Sequence, residues 1–145
     1  MGNRWLSEIT DINGVEGVIL VTLEGDVIEN IGAPADLHVI ERIARHIMRM
    51  IAAYHKLGSD VREIELVWQN YRLLVMAAGP LALIIFCRSL RTISLLRITL
   101  NVVLAHLSED KKTMKKINKH AARGERLLKT TDLDQLEINL ISKLQ

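Results

Sequence analysis

Residues 73–87 are the most constraining stretch of the chain: 15 positions without a charge, broken at the centre by Gly79-Pro80 and bracketed by Arg72 and Arg88. The run falls short of the ~20 apolar residues that a helix needs to span a bilayer. Two buried strands, 71–78 and 81–88, joined by a Gly-Pro turn fit it better. Both are apolar on their two faces, so the sheet that holds them must be covered by helices on both sides. The expectation is a soluble domain with no transmembrane segment.

The flanking chain supplies candidates for that cover. Trp5, Leu6, Ile9 and Ile12 fall at helical spacing and predict a short amphipathic helix over 3–12, ended by Asn13-Gly14. Val15 to Thr22 and residues 26–31 read as two strands around the turn Leu23-Glu24-Gly25-Asp26. A long helix follows over 36–56, with Asp36 as its N-cap and Gly58 as its stop. Its apolar residues Leu37, Ile40, Ile43, Ala44, Ile47, Met48, Met50, Ile51 and Tyr54 cover an arc of roughly 160°, wider than the ~100° stripe of a helix packed on one side only. This helix should therefore touch a second surface besides its own sheet. Residues 63–69 alternate, with Ile64, Leu66 and Trp68 on one face. A second long helix over 92–107 is apolar almost all round, apart from a narrow strip at Ser94, Arg97 and Asn101, and needs an outer cover as well.

With 145 residues, 49% of them hydrophobic, the chain can bury one domain-sized core, and at 3% aromatics that core must be mainly aliphatic. The single cysteine, Cys87, sits in the apolar run, so no disulfide can form within the chain; this fits a reducing, cytoplasmic setting. The N-terminus lacks the apolar region of a secretion signal.

No chemical constellation stands out. Gly14 and Gly17 are not followed by the third glycine and helix start of a dinucleotide site. None of His38, His46, His55, His106 and His120 pairs with another at the i,i+4 spacing of a helical metal site, and Cys87 has no cysteine partner. The acidic pairs Glu63/Glu65 and Asp132/Asp134 read as solvated or capping groups. The expectation is a protein that is not an enzyme, with no metal and no cofactor.

Charge is the remaining signal. Residues 1–108 carry 10 Lys/Arg against 11 Asp/Glu, whereas 109–145 carry 9 against 6, so the basic excess belongs to the tail. The tail's lysines predict a solvated helix ending near Gly124. The weaker alternative is tethering to a membrane or to nucleic acid; the lysines lack the interleaved aromatics that stack on bases, so nucleic acid is not an expected partner. Thr131 is placed to cap a last helix with Leu133, Leu136, Leu140 and Leu144 on one face. On helix 36–56, His38, Arg42, Arg45, His46, Arg49 and Lys56 line the polar side. That stripe is either an ordinary solvated face or a docking face for an acidic partner, for which arginine's planar fork is well suited.

The order of elements, the hairpin Gly14-Val15-Glu16-Gly17-Val18-Ile19-Leu20-Val21 with Gly25-Asp26-Val27-Ile28, and Gly79-Pro80-Leu81-Ala82-Leu83-Ile84-Ile85 before an apolar helix together resemble the roadblock/dynein light chain family. That family includes prokaryotic regulators of small Ras-like GTPases. The resemblance covers about residues 3–107. It departs at Leu23-Glu24-Gly25, where the family commonly places an Asp before the turn, and in the tail. It implies an α+β fold, roadblock/profilin-like: a five-stranded antiparallel sheet sandwiched by helices over 1–108; the basic helical extension over 109–145 lies outside the resemblance. It further implies a homodimer in which the third strands pair and the second helices lie side by side, with Ile64, Leu66, Trp68, Met48 and Ile51 at the interface. A GTPase would dock on the paired helices at Arg42, Arg45, His46 and Arg49. The alternative within the family is a structural adaptor with no effect on nucleotide hydrolysis.

Overall fold

The computed structural model describes residues 2–88 and 93–119. In chain order the elements are α1 (Gly2–Thr10), β1 (Val15–Thr22), β2 (Val27–Ile31), α2 (Leu37–Lys56), β3 (Glu63–Trp68), β4 (Tyr71–Ala78), β5 (Leu81–Cys87) and α3 (Ile93–Glu109). The strands form one antiparallel sheet in the order β2-β1-β5-β4-β3. The α+β architecture, a five-stranded antiparallel sheet between helices, is the one expected.

Strand alternation sorts the apolar side chains into two cores. Val18 and Leu20 of β1, Leu74 of β4, and Leu81, Leu83, Ile85 and Cys87 of β5 point to one face, where Leu6 and Ile9 of α1 and Leu96, Leu100, Val103, Leu104 and Leu107 of α3 cover them. Ile19, Val21, Leu73, Val75, Ala82, Ile84 and Phe86 point to the other face, under Ile40, Ala44, Ile47, Met48 and Ile51 of α2. Every residue of β5 is buried. The charge-free run thus becomes the sheet's centre because only there are both faces covered.

Helix ends account for the chain's changes of direction. Asp36 occupies the N-cap position of α2, but its side chain makes no capping hydrogen bond. The C-terminus is closed more firmly: the Gly58 amide (φ +87) donates to the His55 carbonyl, and the Ser59 amide to that of Tyr54. This is the paired closure that a left-handed glycine permits. On the other face, Trp5 of α1 stacks on His106 of α3 with ring centroids 4.1 Å apart, which fastens the two helices.

Residues 111–119 are helical again, and the expected solvated helix is in fact docked. Thr113 and Ile117 are buried, and Ile117 and Met114 join the core under α1 and α3. Asp110 starts the segment: its carboxylate accepts a 2.7 Å hydrogen bond from the Thr113 hydroxyl, which, first among several causes, holds it below the usual carboxylate range. Lys116 reaches Glu29 of β2 at 2.9 Å. The expected helix bearing Leu133, Leu136, Leu140 and Leu144 lies outside the described residues.

Burial pushes the Cys87 thiol up to about 11. At pH 8 roughly one thiol in a thousand is then ionised. A thiol-specific disulfide reagent should leave the native protein unmodified and label one cysteine per chain in denaturant; rapid labelling of the folded protein would contradict the burial.

Candidate functional site

The outward side of α2 follows from its inward side. With Ile40, Ala44, Ile47, Met48 and Ile51 pressed on the sheet, the 3.6-residue period turns Arg42, Arg45, His46 and Arg49 to solvent, and all four are exposed. His38 and Lys56 extend the stripe at either end. Arg42 and Arg49 are two turns apart, about 10 Å along the axis. Guanidinium groups stay protonated and present planar forks of donors, so the three arginines can grip carboxylates or phosphates but cannot shuttle protons.

One contact sets where the stripe sits. At Gly25, in the β1–β2 turn, an added Cβ would come within 2.7 Å of the Arg45 Cα. The turn also needs φ +92 there. Both demands select glycine, and together they let α2 lie directly against the hairpin. Sequence reading identified the glycine as a turn residue but had no signal for this approach between distant backbones.

Because Arg45 abuts the β1–β2 turn, the opposite flank of α2 faces the β3 side of the sheet. That flank is apolar: Val39, Ile43, Met50, Tyr54 and Leu57, of which Val39, Tyr54 and Leu57 are exposed and Ile43 and Met50 half-buried. Ile64, Leu66 and Trp68 of β3 continue it, all half-buried and packed against the core beneath α2. Trp68 is braced by Tyr71 and by Phe86, each with ring centroids 6.0 Å away. Among the described residues β3 pairs only with β4, so its outer edge lies open beside this apolar flank. Two residues expected at a dimer interface, Met48 (2% exposed) and Ile51 (4%), are enclosed between α2 and the chain's own sheet. On the flank itself, Ile43, Met50 and Leu57 recur every seven positions, a spacing visible in the sequence.

The other side of β3 is held differently. Arg97 of α3 donates to Glu63 at 2.7 Å and to Glu65 at 2.9 Å. The two carboxylates are therefore ion-pair partners of one arginine, not an acid–base pair. Among the described residues no group of three His, Cys, Asp or Glu side chains is arranged to hold a metal ion, and no helix is long and apolar enough to cross a membrane.

No protein-family model and no curated protein matches this sequence. The fold nevertheless defines a class: a β2-β1-β5-β4-β3 antiparallel sheet with α2 on one face and α1 and α3 on the other is the fold of roadblock/LC7 domains. A roadblock/LC7 domain from Streptomyces avermitilis superposes with a TM-score of 0.59 at 16% identity, over 73% of this chain and 93% of that one. The MglB protein of Myxococcus xanthus gives 0.63 at 16% identity, over 74% and 92%. The gliding protein MglB of Thermus thermophilus gives 0.60 at 14% identity, over 81% and 89%.

Gly25→Ala should lower the unfolding free energy by about 2–3 kcal/mol, combining a strained positive φ with a backbone collision. Urea denaturation monitored by circular dichroism measures it, and an unchanged midpoint would show that hairpin and helix are not in contact.

Proposed function

We propose that this protein is a homodimeric, cytoplasmic interaction module that binds and regulates a small Ras-like GTPase. The observation that carries the reading is the juxtaposition on α2 of an exposed arginine stripe and an apolar flank that runs into the open edge of β3. An unpaired strand edge beside exposed Val39, Tyr54 and Leu57 is the kind of surface that proteins protect, and a two-fold axis is the commonest protection. Pairing β3 with β3 would continue the sheet through both chains and bring the two α2 helices together along Ile43, Met50 and Leu57. The arginine stripes would then lie on one composite surface.

The GTPase assignment rests on the resemblance to roadblock regulators and on the chemistry of the stripe. Arg42, Arg45 and Arg49 offer cationic donors to an acidic partner, with His46 beside them. Regulation by such a surface would work by holding and reshaping the partner's nucleotide site. The same surface also serves the second reading, a structural adaptor. GTP hydrolysis by a Ras-like partner, measured with and without the protein, separates the two: binding with an unchanged rate favours the adaptor.

Two outcomes are expected. Met50→Arg with Tyr54→Arg should convert a dimer at micromolar concentration into a folded monomer by light scattering coupled to size exclusion, whereas a wild-type monomer would remove the edge-pairing reading. Arg45→Glu with Arg49→Glu should weaken GTPase binding at least tenfold, the loss of two charge-assisted contacts at about 1.5 kcal/mol each being more than enough, while leaving the dimer intact. Unchanged affinity in a pull-down would place the partner elsewhere.

A further inference from the structure

The face of the sheet away from α2 carries a second charged surface that the GTPase reading does not use. Thr113 and Ile117 turn inward, so Lys111, Lys112, Lys115, Lys116 and Lys119 are all presented outward from a single docked ridge of about two and a half turns, and every one is exposed. At 100° per residue the five lie within an arc of roughly 140° opposite the buried pair. Glu29 pairs with Lys116, and Glu109 and Asp110 precede the ridge, so its five lysines still outnumber the three neighbouring carboxylates. The ridge is thus a compact excess of positive charge.

The same face carries exposed apolar side chains. Leu95 (56% exposed), Ile98 (63%) and Val102 (48%) line the outer side of α3 at i, i+3 and i+7. Half-buried Trp5 stacks on His106 of the same helix, with the Arg4 guanidinium 5.5 Å from its ring. The ridge, α3 and α1 all sit over one core, as Ile117, Leu100 and Leu6 show.

We propose that this face docks on an anionic lipid bilayer. Lysine, a strongly hydrated and flexible point charge, suits diffuse attraction to a charged headgroup layer better than the bidentate recognition arginine provides. Exposed aliphatic side chains of α3, over the same core as the lysines, add shallow insertion below the headgroups. Nucleic acid explains only half of the surface: phosphates answer to the lysines, but no aromatic lies among them to stack on bases, and Leu95, Ile98 and Val102 gain nothing from a phosphate backbone. Such docking would leave the α2 side, across the sheet, open to a protein partner.

Co-sedimentation of the full chain with phosphatidylcholine vesicles, with and without phosphatidylglycerol, tests this. Binding is expected only to the anionic vesicles. It should fall steeply as ionic strength rises from about 0.1 to 1 M, where the screening length drops from ~10 to ~3 Å. Lys111→Gln, Lys115→Gln and Lys119→Gln together should weaken it roughly 100-fold, at about fivefold per charge near an anionic surface. Ile98→Asn should weaken it severalfold without changing the salt dependence. No excess binding to anionic vesicles, equal binding by the lysine variant, or binding to duplex DNA in place of vesicles at the same salt would each overturn the proposal. None of these results bears on the α2 surface, whose GTPase test stands apart.

Discussion

The burial of β5 on both faces is the constraint on which everything else rests. A strand with no polar position cannot face water on either side, so helices have to be recruited above and below it. The chain meets that need with α1 and α3 on one side and α2 on the other, and strand alternation in β1 and β4 extends both cores outward. Each covering helix then has an outer side of its own. Which residues reach solvent, and therefore which surfaces are available for recognition, is fixed by this need for cover rather than by any local preference for a site.

The two outer sides differ in chemistry. That of α2 combines arginines with an apolar flank leading to an open strand edge. The opposite side combines lysines with scattered aliphatics. Arginine's fork rewards geometric matching, whereas lysine's compact charge rewards proximity alone. One sheet thereby separates two kinds of electrostatic surface by the thickness of the molecule.

Most of the fold was legible in the sequence because its signals are periodic. The two-residue alternation at Ile64, Leu66 and Trp68, the helical recurrence from Ile40 to Ile51 and the breaks at Gly58 and Gly79-Pro80 each map onto an observed boundary within a residue or two. The exposure of Arg42, Arg45, His46 and Arg49 followed from the same periodicity. What escaped is what depends on distant neighbours. Met48 and Ile51 share the apolar arc with Met50 and Tyr54, and only the placement of the sheet decides which of them are enclosed. The docking of residues 111–119 escaped too: two inward side chains, Thr113 and Ile117, look like a weak stripe until a core is waiting beneath them. Gly25 read as a turn residue, since nothing in a hairpin foretells the backbone of a helix twenty positions later.

The Arg97 clamp on β3 carries a consequence of its own. Surface ion pairs at this exposure add little to stability. Yet Glu63 and Glu65 are alternate residues, and one guanidinium spans both, so a slip of the strand by a single position would exchange acid for Ile64 or Leu66 beneath the arginine. The clamp therefore works as a key for orientation. It keeps the acidic side of an otherwise open ribbon turned toward α3, and whatever chain meets that ribbon edge-on encounters the same handedness every time.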